Sequence, residues 1–173
     1  GMKEKTNARR VNEAVICAGF GGQGIMVLGK VLAEAGMASG LNVTWLPSYG
    51  AEVRGGTAHA MVRISYGLIP SPVVSAADAA IIMNGPSLEK FAGKIKKGGL
   101  LIVNTSMSSD PGKVRGVDTI ACPLTAAAIE IGNIRVANMI AVGIYASRKD
   151  LFSLELLERV VEKMAGERKE LIP

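Results

Sequence analysis

The segment that most constrains the fold is a glycine-rich turn between an apolar run and a helix-like run. The apolar run covers residues 14–18, and the turn Gly19-Phe20-Gly21-Gly22-Gln23-Gly24 has three glycines at G-x-G-x-x-G spacing. Residues 25–38 then place apolar side chains at helical intervals. This order of strand, glycine turn and helix is typical of the first unit of an α/β fold.

The same turn has the chemistry of an anion site. Glycine lets the backbone approach a ligand, and the N-terminus of the following helix offers N–H groups and a partial positive charge. In the dinucleotide-binding version, an acidic residue at the end of the second strand binds the ribose. Here the second strand-like run, 41–46, ends without Asp or Glu. The pattern disfavours a classical NAD site and leaves two interpretations open, an anion site or a tight packing turn.

Strand-like and helix-like segments alternate along the rest of the chain. We predict further strands at 58–65, 79–83, 100–103 and 117–121, and helices at 87–92, 124–131, 135–146 and 153–165. Ser87 and Ser153 are the expected N-caps, 94–99 is a predicted basic turn, and 68–72 is a candidate hairpin partner for strand 58–65. The alternation predicts a three-layer α/β/α, Rossmann-like fold with a mainly parallel mixed sheet.

Length and charge indicate one domain with a short tail. A chain of 173 residues suits a single domain, which we place at 14–173. Residues 1–13 are predicted to be a flexible basic tail, carrying Lys3, Lys5, Arg9 and Arg10. Aromatic residues make up only 4% and no long basic stripe occurs, which argues against nucleic-acid binding. With no long apolar run, we expect a cytoplasmic protein that does not bind membranes.

Cysteine and histidine are too few for most metal sites. The chain has Cys17, Cys122 and His59, and no C-x-x-C pair. We therefore expect no metal site, no Fe–S cluster held by this chain alone, and two buried free thiols. A catalytic pair of Cys122 and His59 has no support in the pattern, and His59 is expected to be structural.

Three predicted strands end in polar or glycine-rich segments, at 19–24, 48–56 and 104–109. Ligands of open α/β sheets collect at such strand ends, and we expect the first two segments to adjoin. The candidate anion-binding residues are Gly19, Gly21, Gly22, Gln23, Gly24, Ser48, Tyr49, Glu52, Arg54, Gly55 and Gly56. For Arg54 the alternatives are an anion contact or an ion pair with Glu52 or a partner subunit. No residue is assigned a catalytic role.

Several segments in the same order resemble a known family. Residues 19–25 and 47–57, together with 71–72, 77–78, 83–87, 98–104 and 135–139, resemble the gamma subunit, or fused gamma domain, of the 2-oxoacid:ferredoxin oxidoreductases. These include the pyruvate, ketoisovalerate and 2-oxoglutarate enzymes. The likeness covers roughly residues 14–165, and the 47–57 segment looks most like the 2-oxoglutarate or ketoisovalerate branch.

The resemblance implies a role within a larger enzyme. Such complexes use thiamine diphosphate, Fe–S clusters and coenzyme A to convert a 2-oxoacid to an acyl-CoA while reducing ferredoxin. The expected partners are the alpha, beta and ferredoxin-like delta subunits, and ferredoxin. The gamma chain is expected to carry no thiamine or Fe–S site, to be inactive alone, and to help assembly and coenzyme A access.

Two other roles for the chain are left open. One is a homodimer formed when the chain is isolated, which would cover the surface that otherwise contacts partner subunits. The other is a free-standing nucleotide- or coenzyme A-binding regulatory domain.

Overall fold

The computed structural model describes residues 11–49 and 57–170. The strands are β1 Asn12–Phe20, β2 Asn42–Tyr49, β3 Thr57–Ser65, β4 Ala77–Ile82, β5 Ile95–Asn104 and β6 Asp118–Cys122. The helices are α1 Ile25–Ala38, α2 Gly85–Phe91, α3 Leu124–Ile131, α4 Ala137–Lys149 and α5 Leu154–Glu170. Two 3₁₀ turns, Ala92–Lys94 and Ile134–Val136, precede β5 and α4.

The six strands form one mixed sheet in the order β2-β3-β1-β4-β5-β6. The strands β1, β4, β5 and β6 are mutually parallel, whereas β3 runs antiparallel to both β1 and β2. The predicted α/β class with a mainly parallel mixed sheet is therefore confirmed. The strand predicted at 58–65 is confirmed as β3, and its alternate residues Ala58, Ala60, Val62 and Ile64 are buried.

The antiparallel pairing does not come from the segment where we expected it. We predicted a hairpin partner at 68–72, but that segment forms no strand, and the neighbours of β3 are β1 and β2. Pro70 and Pro72 lack the N–H that a ladder needs. The chain directly after this segment is held to β3 by Arg63, whose guanidinium donates to the Val73 carbonyl at 2.8 Å (Nη2) and 3.2 Å (Nε).

The two faces of the sheet are covered unequally. A large apolar cluster joins one face to α1, α3, α4 and α5, and includes Val15, Cys17 and Tyr145. On the other face the apolar cluster includes Phe91 of α2, with loop residues such as Val74. The three predicted layers are present, but α2, seven residues long, is the only helix contributing to this second cluster within the described residues.

The predicted basic turn at 94–99 is wrong, because β5 already begins at Ile95. The strand has an irregularity there: Ala77 of β4 pairs with Ile95, but Ala79 pairs with Leu100. Gly98 takes a left-handed φ of 82° in this bulge. Lysines 96 and 97 therefore lie in a distorted strand entrance, which a loop-like composition disguises in the sequence.

The N-cap of α2 is Asn84, whose Oδ1 accepts from the Ser87 N–H at 3.0 Å, and so the assignment of Ser87 was wrong. Ser153 does cap α5, because its Oγ accepts from the Leu156 N–H at 3.1 Å. Asn12 and Glu13, which we placed in the tail, belong to β1. The other part of the tail, residues 1–10, lies outside the described residues.

Candidate functional site: a cleft at the carboxyl ends of the strands

A cleft of about 470 Å³ opens where β1 and β4 end. After β1 the chain leads through α1 to β2 on one side, while β4 lies on the other side of β1. The place where successive connections leave the sheet in opposite directions is its topological switch point, and ligands of open α/β sheets bind there. The lining residues are Gly22, Gln23, Gly24, Val27, Met83, Met107, Thr125, Ile134, Arg135, Ala137, Asn138 and Met139.

The glycine turn is held at this position by Gln23. Its Oε1 accepts from the Phe20 N–H at 2.6 Å, and its Nε2 donates to the Met83 carbonyl at 3.3 Å. Gly22 and Gly24 have φ of 89° and 74°, in the left-handed region that favours glycine. The turn is thus fixed both to its own strand and to the end of β4.

The N-terminus of α1 opens into the cleft without a side-chain cap. Gly24 is the N-cap residue and has no side chain to offer. The first helical bond is donated by Leu28 to the Gly24 carbonyl at 3.0 Å, so the N–H groups of the first turn precede it. No acidic side chain lies in that first turn. This end of α1 therefore keeps the donors and the partial positive charge that attract an anion.

Asn138, at the start of α4, closes the other side of the turn. Its Nδ2 donates to the Gln23 carbonyl at 2.7 Å and to the Gly24 carbonyl at 3.3 Å. The residue is only 7% exposed, and its Oδ1 has no partner among the described residues. A side chain at position 24 would meet Asn138 directly, so both space and φ require glycine there.

Arg135 is the only charged residue that lines the cleft within the described part of the chain. It lies in the 3₁₀ turn before α4, where the Asn133 Oδ1 accepts from its backbone N–H at 3.0 Å. The guanidinium of Arg135 and the N-terminus of α1 both attract negative charge. A phosphate or a carboxylate is the ligand chemistry that this arrangement suits.

The polar end of β5 adjoins the glycine turn through a shared carbonyl. Asn104 Nδ2 donates to the Met83 carbonyl at 3.4 Å and to Thr125 Oγ1 at 2.8 Å. The same Met83 carbonyl accepts from Gln23. The first and third of the predicted polar strand ends are therefore neighbours, and Asn104 fixes the start of α3 against them.

The second predicted segment lies farther along the sheet. Tyr49 pairs with Ala58, which pairs with Gly19, so β3 separates Ser48 and Tyr49 from the glycine turn. Tyr49 is 72% exposed, and neither residue lines the cleft. Glu52, Arg54, Gly55 and Gly56 lie outside the described residues, so their contribution stays a prediction.

The remaining two glycines of the motif have different environments. A Cβ on Gly19 would come within 2.7 Å of Ile25 Cδ1 and 2.9 Å of Met83 Cβ, so close packing requires glycine. Gly21 has open space around its Cβ position. Of the predicted residues that the structure describes, only Gly22, Gln23 and Gly24 line the cleft.

His59 and the cysteines lie apart from one another. Cys122 ends β6, and β1, β4 and β5 separate that strand from β3, which carries His59. Cys17 is fully buried, as expected, and burial raises the pKa of its thiol far above the usual range. Cys122 is only partly buried, so the expectation of two buried thiols is wrong for it. The ring of His59 packs edge-on against Phe91 at 5.0 Å, and its buried Nδ1 has no partner among the described residues.

Residues 11–49 and 57–170 contain no group of three His, Cys, Asp or Glu side chains that could hold a metal ion. Nor does any helix in this part of the chain combine the length and hydrophobicity needed to cross a membrane.

The sequence did not identify Arg135 or Asn138 as cleft residues. Both residues belong to segment 135–139, which contributes to the family resemblance but carries no site prediction. The bonds of Asn138 to the glycine turn show that it holds this turn in place. A polar residue within the apolar run 136–142 was the available signal, but its partner lies 115 residues away along the chain.

Comparisons with known proteins agree with this architecture. A family model described as pyruvate ferredoxin/flavodoxin oxidoreductase matches residues 14–173. The ketoisovalerate oxidoreductase subunit VorA of Methanothermobacter marburgensis is 39% identical over 73% of this chain, which spans 26% of that protein. The 2-oxoglutarate synthase subunit KorC of Methanothermobacter thermautotrophicus is 33% identical over 88% of this chain and 84% of its own length.

Solved structures give the same result. The gamma subunit of a keto/oxoacid ferredoxin oxidoreductase from Geobacter sulfurreducens superposes with a TM-score of 0.72 at 28% identity, covering 86% of this chain and 84% of that one. The 2-oxoglutarate:ferredoxin oxidoreductase from Magnetococcus marinus, with 2-oxoglutarate, coenzyme A and succinyl-CoA bound, gives 0.77 at 26% identity over 91% of this chain and 27% of that one. The chain belongs to the pyruvate ferredoxin/flavodoxin oxidoreductase family, and its similarity there is to the gamma subunits.

Proposed function

We propose that the chain is the gamma subunit of a 2-oxoacid:ferredoxin oxidoreductase. The complex oxidatively decarboxylates a 2-oxoacid, forms an acyl-CoA and reduces ferredoxin. The other members of the complex are the alpha, beta and ferredoxin-like delta subunits. The relatives point to ketoisovalerate or 2-oxoglutarate as the substrate class.

The role we assign to this chain is to shape the coenzyme A side of the active centre. The observation that carries this proposal is the uncapped N-terminus of α1, which faces a cleft whose only charged lining residue, within the described part, is Arg135. Coenzyme A carries a pyrophosphate and a 3′-phosphate. A helix N-terminus contributes about 0.3–1 kcal/mol toward an anion, and a hydrogen bond to a charged group adds about 1.5–3 kcal/mol. Two such contacts orient a ligand and leave most of the affinity to the neighbouring subunits.

The electron-transfer and decarboxylation chemistry is assigned to the partners. Thiamine diphosphate stabilises the carbanion formed on decarboxylation, and Fe–S clusters carry the electrons to ferredoxin. The residues of this chain do not fit a cluster, because Cys17 is fully buried with a raised thiol pKa and Cys122 lies at the far end of the sheet. The chain is therefore expected to be inactive alone.

The test is reconstitution of this chain with the alpha, beta and delta subunits from the same organism. Coenzyme A-dependent reduction of a viologen dye is measured across several 2-oxoacids, with and without the chain. We expect activity to require the chain and to identify the substrate. An alpha–beta–delta complex that is equally active without it would contradict the proposal.

Arg135→Gln tests the cleft within that complex. We expect the KM for coenzyme A to rise about tenfold, since one charge-assisted hydrogen bond is lost, while the KM for the 2-oxoacid stays unchanged. Arg148→Gln is the matched control, because Arg148 is equally cationic but pairs with Asp118 at 2.7 Å at the opposite end of α4. Equal KM values for the two variants would remove the cleft from the proposal.

The isolated chain offers a second measurement. If coenzyme A binds the chain alone with micromolar affinity and the complex does not need the chain, the alternative of a free-standing coenzyme A- or nucleotide-binding regulatory domain takes the place of the subunit role.

A further inference from the structure

A second concave surface lies between α4 and α5. It is an apolar groove of about 300 Å³, lined by Met139, Val142, Gly143, Leu154, Leu157, Glu158, Val161 and Glu162. Met139 also lines the cleft, so the groove begins where the cleft ends. Leu154 is 66% exposed at the other end. The Cβ position of Gly143 has no heavy atom within 4 Å, so the groove is open above it.

The lining residues follow the period of two facing helices. They occupy positions i, i+3 and i+4 on α4, and i, i+3, i+4, i+7 and i+8 on α5. A groove of this kind fits the apolar face of a third helix, whose side chains enter at helical spacing.

The charge beside the groove is negative. Glu158 and Glu162 lie four residues apart on α5, and no Lys or Arg of the described residues forms a salt bridge with either of them. Like charges at this spacing destabilise a helix by themselves. Cations supplied from outside the described chain would remove that repulsion and would fix the orientation of whatever binds.

We propose that the α4–α5 groove receives an amphipathic helix of a partner subunit, with an apolar face and Lys or Arg side chains along its edge. The proposal rests on the subunit function proposed above. It agrees with the length of the larger relatives, since this chain covers only 26% of the ketoisovalerate oxidoreductase subunit and 27% of the Magnetococcus marinus chain. Domains of this family therefore occur joined to much longer polypeptides against which a surface can pack.

A second copy of this chain is a poorer occupant. A two-fold symmetric contact places the same patch on both sides of the interface. The groove lining contains Glu158 and Glu162 but no Lys or Arg, so the same patch on a second copy would offer neither glutamate an opposite charge. A basic amphipathic helix meets both the shape and the charge of the groove.

The test fills the groove without disturbing the fold. Gly143→Leu adds a side chain where nothing lies within 4 Å, and it replaces a helix-interior glycine with a better helix former. Gly166→Leu is the matched control, because Gly166 lies on α5, has equally open space and does not line the groove. Each chain is titrated into the complex of neighbouring subunits purified without it. We expect the Kd to rise at least tenfold for Gly143→Leu and to stay unchanged for Gly166→Leu.

The charge is tested on the same helix. Glu158→Lys combined with Glu162→Lys should weaken association further at low salt than at high salt, because it turns attraction into repulsion. Glu167→Lys, an exposed position outside the groove, should not. Equal binding by the double variant and the wild-type chain would overturn the charge assignment and with it the proposed partner.

Photo-crosslinking identifies the occupant in the assembled complex. With Leu154→p-benzoylphenylalanine, we expect a crosslink to a basic amphipathic helix of another subunit. A crosslink to a second copy of this chain, or none, would overturn the proposal. If the wild-type chain fails to assemble at all, the subunit function fails and the groove proposal falls with it. If it assembles and Gly143→Leu assembles equally well, only the groove proposal fails.

Discussion

A partly buried ion pair ties the first strand to the helix that carries Asn138. Glu13 of β1 and Lys149 at the end of α4 lie 3.2 Å apart, with side chains 16% and 20% exposed. Lys149 Nζ also donates to the Asp78 carbonyl at 3.3 Å, and the Asp78 carboxylate accepts from the Ala14 N–H at 2.8 Å. Burial raises the pKa of Glu13, and the charge of Lys149 opposes that rise. The ionised form of Glu13 is therefore stabilised by the positive charge of Lys149.

Lys149→Met should destabilise the chain by about 3 kcal/mol, because it leaves a buried carboxylate without its counter-charge. The pKa of Glu13 then rises further above 4.5. The native state then holds this proton more tightly than the unfolded state does. The free energy of unfolding should therefore fall as the pH rises from 4.5 through the raised pKa of Glu13. Urea unfolding at several pH values measures both effects. The double variant Glu13→Gln/Lys149→Met is the control and should recover most of the loss. If it stays as unstable as Lys149→Met, packing rather than charge is responsible.

His59 should make the fold sensitive to acid. Burial lowers the pKa of its imidazole below 6.5, and Lys90 and Lys94 lower that pKa further. Both ammonium groups lie over the Phe91 ring, at 5.3 and 5.5 Å from its centre. The unfolded chain binds this proton more readily, so stability should rise with pH up to about 6.5. The contribution of neutral His59 to stability should be lost as the pH falls from 6.5 through the lowered pKa of the folded state.

Chemical denaturation of His59→Gln measures this contribution. The variant should lose the part of the pH dependence that lies just below pH 6.5, whereas Lys90→Gln should only reduce it. An unchanged pH profile in His59→Gln would mean that other groups account for any acid sensitivity.

At the scale of whole elements, the contact of α1 with the sheet depends on a helix-interior glycine. The Cβ position of Gly36 lies 2.6 Å from Val43 Cγ1 and 3.1 Å from Ile64 Cγ2. The helix therefore packs closely on β2 and β3. Gly143 of α4 is the opposite case, with open space around its Cβ position. The two glycines occupy similar positions in a helical pattern. Close packing on the sheet requires glycine at position 36, whereas the space around position 143 would accept a side chain.

Gly36→Ala should lower stability by about 1–3 kcal/mol through overpacking. Gly143→Ala should raise it by about 0.5–1 kcal/mol, because alanine is the better helix former where space is free. Thermal unfolding of the two variants compares them directly. A stabilising Gly36→Ala would show that Val43 and Ile64 yield easily and that α1 can move away from the sheet.

For the molecule as a whole, the sequence predicted what local periodicity determines. The helix α1, the strand β3 and the N-cap Ser153 follow from the pattern of side chains within a few residues. The reversal of β3 between β1 and β2 does not, because no local signal says which strands will pair. The prediction of a turn at 94–99 was wrong for a similar reason. The lysines and glycines of this segment resemble a turn, and only the pairing with β4 makes it the start of a strand.

The residues of the candidate cleft likewise fall into those that a local motif predicts and those that only the folded chain brings together. Gly22, Gln23 and Gly24 could be predicted because the glycine turn is a local motif. Arg135 and Asn138 come from a segment more than a hundred residues later, and only the packing of α4 beside α1 brings them to the turn. Glu52 and Arg54 remain predictions.

The position of β3 between β2 and β1 has a consequence for the order in which the sheet forms during refolding. The elements α1, β2 and β3 follow one another along the chain, so the contacts among them have small sequence separations and can form early in refolding. The parallel pairing of β1 with β4 joins residues as distant as Val15 and Ala79, and should follow. The single tryptophan, Trp45, lies on β2, its Nε1 3.1 Å from the Cβ position of Gly29 on α1. Its fluorescence should therefore report the early phase of refolding and be silent on the later closure of the sheet.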